Sequence, residues 1–108
     1  MINNAKLDKI MIEMGYREGL SGTAFIRAAA QIYRPGMNIT KELYPAVAEI
    51  YDSTPPRVER SIRHATEWVF RKGNLALIRE YFGGAIDQEK GKPTNADAIA
   101  RLAYLASE

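Results

Sequence analysis

The longest helical pattern in the chain is PPRVERSIRHATEWVFRK, residues 55–72. Its apolar residues fall within one narrow arc of a helix, and they are Val58, Ile62, Ala65 and Val69. Proline is tolerated at a helix start, and Thr54 or Ser53 is placed to cap that start. Gly73 suits the left-handed residue that closes many helices. The pattern therefore predicts a long amphipathic helix, helix 4, from Pro55 to Lys72.

Five more helices are predicted around helix 4 from apolar residues spaced three and four apart. In chain order the six run from Asn4 to Met14, Gly22 to Tyr33, Thr40 to Tyr51, Pro55 to Lys72, Leu75 to Phe82, and Thr94 or Asn95 to about Ala106. Asn4, Ser21 and Asn74 are placed to cap helices 1, 2 and 5, and Gly15 is placed to end helix 1. Pro45 must either kink helix 3 or lie in its first turn. The polar segment 85–93 is predicted to be a loop, so the fold class is all-α, a compact six-helix bundle.

Length and composition exclude several classes of protein. The chain has 108 residues, which is the size of one domain, and its hydrophobic and charged fractions are those of a water-soluble globular protein. With no Cys and a single His, the sequence offers no disulfide, no thiolate or histidine zinc site and no thiol nucleophile. Neither a Gly-rich phosphate loop nor a Ser-His-Asp arrangement is present. We therefore expect no enzymatic activity, no metal and no cofactor.

No apolar run in the sequence approaches the roughly 18 to 20 residues that cross a bilayer, and the first residues lack the layout of a secretory signal. The expected location is cytoplasmic, without membrane contact. The net charge is only +2, but the segment 53–79 holds six basic and two acidic residues, a balance of +4, which leaves −2 for the rest. This local positive charge is the stronger functional clue.

The basic residues of helix 4 lie opposite its apolar arc. That face carries Arg60, Arg63, His64, Glu67 and Arg71, with Arg57 and Glu59 flanking it at the N-terminal end. Helix 3, a short turn and helix 4 form the outline of a helix-turn-helix unit, although the turn contains Asp52 and no Gly. Arg can donate two hydrogen bonds to guanine, and Glu can accept one from cytosine. The face therefore indicates a DNA-recognition helix.

Two other interpretations of this basic face remain open. One is a solvated helix surface, on which Glu67 pairs with Arg63 or Arg71 four residues away. The other is a helical protein-interaction module that binds an acidic partner such as a sigma or anti-sigma factor. The substitution Arg57→Ala separates base reading from protein binding, because only a base reader should lose sequence preference.

Four separated motifs make the chain recognisable. RVERSIRHA at 57–65 is preceded by LYP at 43–45 and followed by RKGN at 71–74 and KPTN at 92–95. Together they closely resemble the C-terminal DNA-binding domain of the sporulation master response regulator of spore-forming bacteria. The resemblance extends from about Leu7 to the end of the chain. It implies a six-helix effector domain in which helices 3 and 4 read double-stranded DNA, at a TGTCGAA-like box that is often repeated.

The resemblance also implies roles for individual residues. The base readers are Arg57, Glu59 and Arg60, and the residues that contact the DNA backbone are Arg63, His64, Lys92, Thr94 and Asn95. For Thr94 and Asn95, simple capping of helix 6 is an equal alternative. Pro56 departs from the family, which has a small hydroxyl residue there, so the start of helix 4 is expected to lose one backbone contact and can shift.

The family resemblance implies partners as well. Helix 5, with Leu75, Ile78 and Phe82 inward, aligns with the region that touches the sigma subunit of RNA polymerase. Arg79 and Glu80 are therefore the candidate polymerase contacts. Repeated boxes imply possible self-association on tandem DNA sites. The family's phosphoacceptor receiver domain is not expected in residues 1–108, which are predicted to form a single effector domain.

Overall fold

The structure is a computed structural model that describes residues 2–83 and 92–107. These residues contain six α-helices and no strand, which confirms the predicted all-α six-helix fold. The helices are α1 Asn4–Met14, α2 Ser21–Ile32, α3 Tyr44–Ile50, α4 Pro55–Lys72, α5 Leu75–Phe82 and α6 Asn95–Leu105. In the described ranges, none of these helices is both long and apolar enough to cross a membrane. Of the loop predicted for 85–93, residues 85–91 lie outside the described residues.

The bounds of α1 match the prediction, but its cap is a different residue. The Asn3 side chain accepts a hydrogen bond from the Lys6 N–H at 3.0 Å, so Asn3 is the cap. Asn4 is already helical. At the other end Gly15 takes a left-handed conformation, with φ of 111°, and ends the helix as predicted.

Helix α2 is shifted by one residue at each end. Leu20 has the extended conformation that precedes a helix, with φ of −87° and ψ of 135°, so the first helical residue is Ser21. The prediction that Ser21 caps this helix is wrong for that reason, and no side chain provides a cap here. The helix ends at Ile32, because Tyr33 has left the helical conformation.

Pro45 divides the predicted helix 3. Proline has no N–H to donate to the carbonyl of Lys41, so the turn before it widens into a π-helical turn, Ile39–Leu43. In that turn the N–H of Leu43 donates to the Asn38 carbonyl, five residues back, at 3.1 Å. Helix α3 begins after it, with Pro45 in its first turn, which is one of the two arrangements predicted.

Gly73 closes α4 without the predicted left-handed conformation. Its φ of −78° and ψ of −167° are extended backbone, so the prediction was wrong. A Cβ atom at this position would lie 2.3 Å from the Met14 carbonyl oxygen and 2.5 Å from that of Val69. Glycine is needed here because the end of α1 touches the end of α4. The contact continues with the Asn74 N–H, which donates to the Met14 carbonyl at 3.1 Å.

The helices pack around one apolar core. Its largest fully buried side chains are Phe82, Leu7, Met11, Met14, Ile26, Leu43, Ile62, Ile99, Leu102, Val47, Val58 and Val69. Helix α2 lies close against α4 at Gly22, where a Cβ atom would lie 2.2 Å from the Ser61 carbonyl oxygen. The two ends of the described chain also meet, because the Asn3 N–H donates to the Ala106 carbonyl at 2.8 Å.

One buried polar contact links the loop after α1 to α4. The hydroxyl groups of Tyr16 and Thr66 are 3.0 Å apart, and both residues are buried. Burial raises the pKa of Tyr16 to about 12, against the smaller opposing effect of its hydrogen bond with Thr66. The neutral phenol is therefore the form that the fold stabilises.

This contact predicts a loss of stability at alkaline pH. Because the pKa of Tyr16 is raised in the folded state, its contribution is complete below pH ~10 and is lost as pH rises from ~10 towards 12, by about 2 to 3 kcal/mol at most. Tyr16→Phe should lower the free energy of unfolding at pH 7 by about 1 kcal/mol, since Thr66 loses its partner. The difference from wild type should narrow above pH ~10 in urea denaturation curves. Tyr104→Phe is the control, because that ring is 68% exposed, and a gap that stays constant up to pH ~12 would contradict the prediction.

Candidate nucleic-acid interface

Helices α3 and α4 are joined by a tight turn of four residues. The N–H groups of Asp52 and Ser53 donate to the carbonyls of Glu49 and Ala48, at 3.4 and 2.8 Å. These are the two bonds of a helix-closing Schellman motif, which needs a left-handed residue directly after the C-cap residue, Tyr51. Asp52 provides it, with φ of 52°, and aspartate is among the few residues other than glycine that tolerate this conformation. The turn without glycine is thus compatible with the predicted helix-turn-helix.

Helix α4 has the predicted bounds, and its start is well defined. The Thr54 hydroxyl accepts a hydrogen bond from the Arg57 N–H at 3.4 Å. Pro55 and Pro56 occupy the first turn, where the missing N–H groups have no intrahelical partner to lose. Pro56 is therefore compatible with a helix that begins at Pro55.

The outer face of α4 carries exposed basic residues that form no ion pair with an acidic residue of 2–83 or 92–107. Arg57, Arg60 and His64 are exposed, and so is Arg71 further along. Within residues 2–83 and 92–107, no carboxylate lies within ion-pair distance of these four side chains. Their N–H groups are available to a ligand, and the ligand that such a surface attracts is anionic.

Arg63 and Glu59 form an ion pair along one flank of α4. Arg63 contacts the Glu59 carboxylate and lies 4.0 Å from that of Glu67. Glu67 has a closer partner in Lys92, whose Nζ lies 2.5 Å away. The hydrogen bond from Lys92 is the main reason why the pKa of Glu67 is lowered, and it outweighs the opposing effect of desolvation. Lys92 is thereby held against α4.

The start of α6 is attached to the same flank. The side-chain amide of Asn95 donates to the Glu59 carbonyl at 3.0 Å and to the Tyr44 hydroxyl at 3.2 Å. The Thr94 hydroxyl accepts from the Asp97 N–H at 3.1 Å, so Thr94 caps α6. Burial raises the pKa of Tyr44, which keeps its hydroxyl neutral. The capping role that was left open for Thr94 is therefore observed, and the Asn95 side chain serves to join α6 to α4.

These residues line a groove of about 410 Å³ beside α4, which we name the α6-side groove. Its lining includes Tyr44, Glu59, Arg63, Lys92, Thr94 and Asn95. The structure thus brings together five of the eight residues predicted to contact DNA, on one flank of α4. The other three, Arg57, Arg60 and His64, lie on the exposed face of the same helix.

Helix α5 is a separate surface. Arg79 and Glu80 are exposed on it, away from the residues that line the α6-side groove. Ile78 and Phe82 are buried as predicted, but Leu75 is 51% exposed. The expectation that Leu75 faces inward was wrong, because the first residue of this short helix extends beyond the core.

The sequence did not predict two side-chain contacts of the site. Tyr44 was part of a recognised motif but had no assigned role, and its contact with Asn95 joins residues 51 positions apart. The pairing of Glu67 was assigned to arginines one helical turn away, whereas its closest partner is Lys92, 25 positions along the chain. Neither contact has a periodic signal, since both depend on how α6 packs against α4.

Comparison with protein-family models agrees with this geometry. The model described as Sporulation initiation factor Spo0A C terminal matches residues 7–105 of the 108-residue chain. The matched range includes all six helices except the first three residues of α1.

Proposed function

Since the chain belongs to the family of C-terminal domains of the sporulation initiation factor Spo0A, which are DNA-binding domains of transcription regulators, we propose that α4 reads a TGTCGAA-like box in the major groove. The observation that carries this proposal is the pair of arginines near the N-terminal end of α4, Arg57 and Arg60, which are exposed and have no ion-pair partner among the described residues. The N-terminal residues of a recognition helix are the ones that reach base edges. A regulator of this kind acts on chromosomal DNA, so we also propose a cytoplasmic location.

Arg57 and Arg60 are proposed to donate to the O6 and N7 atoms of guanine. Glu59 is proposed to accept from the N4 amino group of cytosine through the carboxylate oxygen that Arg63 leaves free. The ion pair with Arg63 fixes this carboxylate before DNA arrives, which reduces the side-chain entropy lost on binding.

The remaining predicted residues are proposed to contact phosphates. Arg63 and Lys92 supply positive charge, His64 supplies a ring N–H, and Thr94 supplies its hydroxyl hydrogen, which capping does not use. The Asn95 side-chain amide is directed to Glu59 and Tyr44, so its proposed contact is through the backbone N–H in the first turn of α6. Phosphate contacts supply affinity and a salt dependence but carry no base information.

A fluorescence-anisotropy titration tests the proposal. We expect the wild-type chain to prefer a duplex with two TGTCGAA-like boxes over a scrambled duplex by ten-fold or more, about 1.4 kcal/mol, at low and high salt. Arg57→Ala should lower affinity for the boxed duplex by ~1 to 3 kcal/mol and relax the preference at one base pair, because it removes a bidentate contact to guanine.

Arg71→Ala is the matched control on the same helix, since Arg71 is also exposed and unpaired among the described residues. It should affect both duplexes equally, whereas replacing Arg63 would also release the Glu59 carboxylate. Equal loss on both duplexes in Arg57→Ala would contradict base reading. If wild type binds neither duplex, a protein-interaction module with an acidic partner becomes the better interpretation.

Two further partners are proposed. Arg79 and Glu80 on α5 are proposed to touch the sigma subunit of RNA polymerase, and the exposure of Leu75 supports a contact there, because a protein interface gains from an accessible apolar side chain. Self-association is proposed only on tandem boxes.

A further inference from the structure

A second groove runs along the opposite flank of α4. It has a volume of about 280 Å³, and we name it the α2-side groove. Its lining is Arg17, Leu20, Ser21, Gly22, Ser61, His64, Ala65 and Trp68. On a helical wheel that starts at Val58, the α4 residues of this groove lie at about 240° to 340°, whereas those of the α6-side groove lie at about 80° to 140°. Arg60 and Arg71, at about 200° and 220°, are between the two grooves, whereas Arg57, at about 260°, is on the side of the α2-side groove.

Arg17 is the charged residue that the loop between α1 and α2 brings to this groove. Its guanidinium lies over the Trp68 ring, 5.3 Å from the ring centroid, and the residue is exposed. A guanidinium over an aromatic face is held in place, yet its N–H groups remain able to bind an anion. His64 lines the same groove, and none of the described residues that line it is acidic.

The neighbouring acidic residue does not neutralise Arg17. Glu18 is bound by Arg27, with the two charged groups 2.6 Å apart. Within the described ranges, no carboxylate lies within ion-pair distance of Arg17. The α2-side groove is therefore a positive surface with an immobilised arginine, beside the helix that is proposed to read DNA.

We propose that Arg17, held over Trp68, binds a phosphate of the DNA strand that runs along the α2-side groove, together with His64. The geometric reason is that a helix about 10 to 12 Å wide nearly fills a major groove about 12 Å wide, so one phosphate backbone passes along each flank. The α6-side groove, with Lys92 and Thr94, serves one strand. The α2-side groove serves the other. This inference rests on the proposed function.

Arg17→Met tests it, because methionine keeps an unbranched apolar stem over Trp68 and removes the charge. Affinity for boxed and scrambled duplexes should fall by the same factor, roughly 8-fold at about 0.1 M salt, the effect of one released counterion. The slope of log affinity against log salt should become less steep by about 0.9. Arg17→Lys should keep the wild-type slope. Trp68 is the only tryptophan, so its emission should change when wild type binds DNA.

Arg34→Met is the matched control, since Arg34 is exposed but lines a different groove, between α2 and α6. It should leave affinity and slope unchanged. Three results would each overturn the inference while the preference of wild type for the boxed duplex stands. They are an unchanged affinity in Arg17→Met, a loss of affinity confined to the boxed duplex, and an unchanged Trp68 emission when wild type binds DNA. If wild type shows no such preference and no DNA affinity, the proposed function fails and this inference fails with it. Circular dichroism spectra that match wild type confirm that each variant is folded.

Discussion

Replacing Gly22 with alanine should lower the free energy of unfolding by about 2 kcal/mol, although alanine favours helices. The added Cβ atom would lie 2.2 Å from the Ser61 carbonyl oxygen and 2.8 Å from the Ala65 Cβ. Both neighbours belong to α4, so neither can move without shifting that helix. Helix propensity gains ~0.5 to 1 kcal/mol from the change, whereas forcing an atom into a packed interface costs ~1 to 3 kcal/mol and sometimes more. The steric cost is the larger effect.

Urea denaturation followed by circular dichroism measures this difference. Ser21→Ala is the control, because it changes an adjacent exposed residue of the same helix turn and should alter stability by less than ~0.5 kcal/mol. A Gly22→Ala variant as stable as wild type would show that α2 and α4 can separate without loss. Gly22→Ala should also bind the boxed duplex more weakly than wild type does, since α4 would be displaced.

Replacing Ile62 with alanine should cost more, about 2 to 5 kcal/mol of unfolding free energy. Ile62 is fully buried on the inner face of α4. Removing its three outer carbon atoms loses their transfer free energy and leaves a cavity that the surrounding helices can only partly fill. DNA affinity should fall in proportion to the fraction of unfolded protein, because the Ile62 side chain is fully buried and out of reach of DNA.

Arg60→Ala, on the same helix as Ile62→Ala, should have the reverse effect, a loss of DNA affinity without a loss of stability. Its side chain is exposed and unpaired among the described residues, so stability should change by less than ~0.5 kcal/mol while affinity for the boxed duplex falls. Thermal and urea denaturation measure the change in stability. Anisotropy at a temperature where both variants are folded measures the change in DNA affinity, so the two effects are separated. Loss of stability in Arg60→Ala with unchanged affinity would contradict the assignment of the outer face.

Much of this architecture follows from local sequence. The bounds of α4 and the end of α1 at Gly15 depend on periodicity and on residues next to each other, so they could be predicted. The π-helical turn before α3 could not be placed, because Pro45 allows more than one solution and packing selects among them. The conformation of Gly73 also depends on tertiary contact, since Met14 comes from a distant helix.

The candidate site divides in the same way. The outer face of α4 could be read from a helical wheel, because its residues share one helix. Glu67 finds Lys92, and Arg17 finds Trp68, only after the loops and helices have packed. An isolated arginine in a loop has no pattern around it that distinguishes a ligand contact from a solvated charge.

The contact between the residues before α1 and those after α6 affects how this domain is synthesised. The Asn3 N–H reaches the Ala106 carbonyl, and Ile2 pairs with Ser107, so residues before α1 are fixed by residues that are synthesised about 100 positions later. Contacts this distant in sequence form only after the intervening loop entropy has been lost. The α1 segment therefore leaves the ribosome before α6, its neighbour in the fold, has been synthesised. The apolar side chains that α1 packs against α6 stay exposed until α6 has been translated. A nascent chain stalled before α6 should expose apolar surface to chaperones.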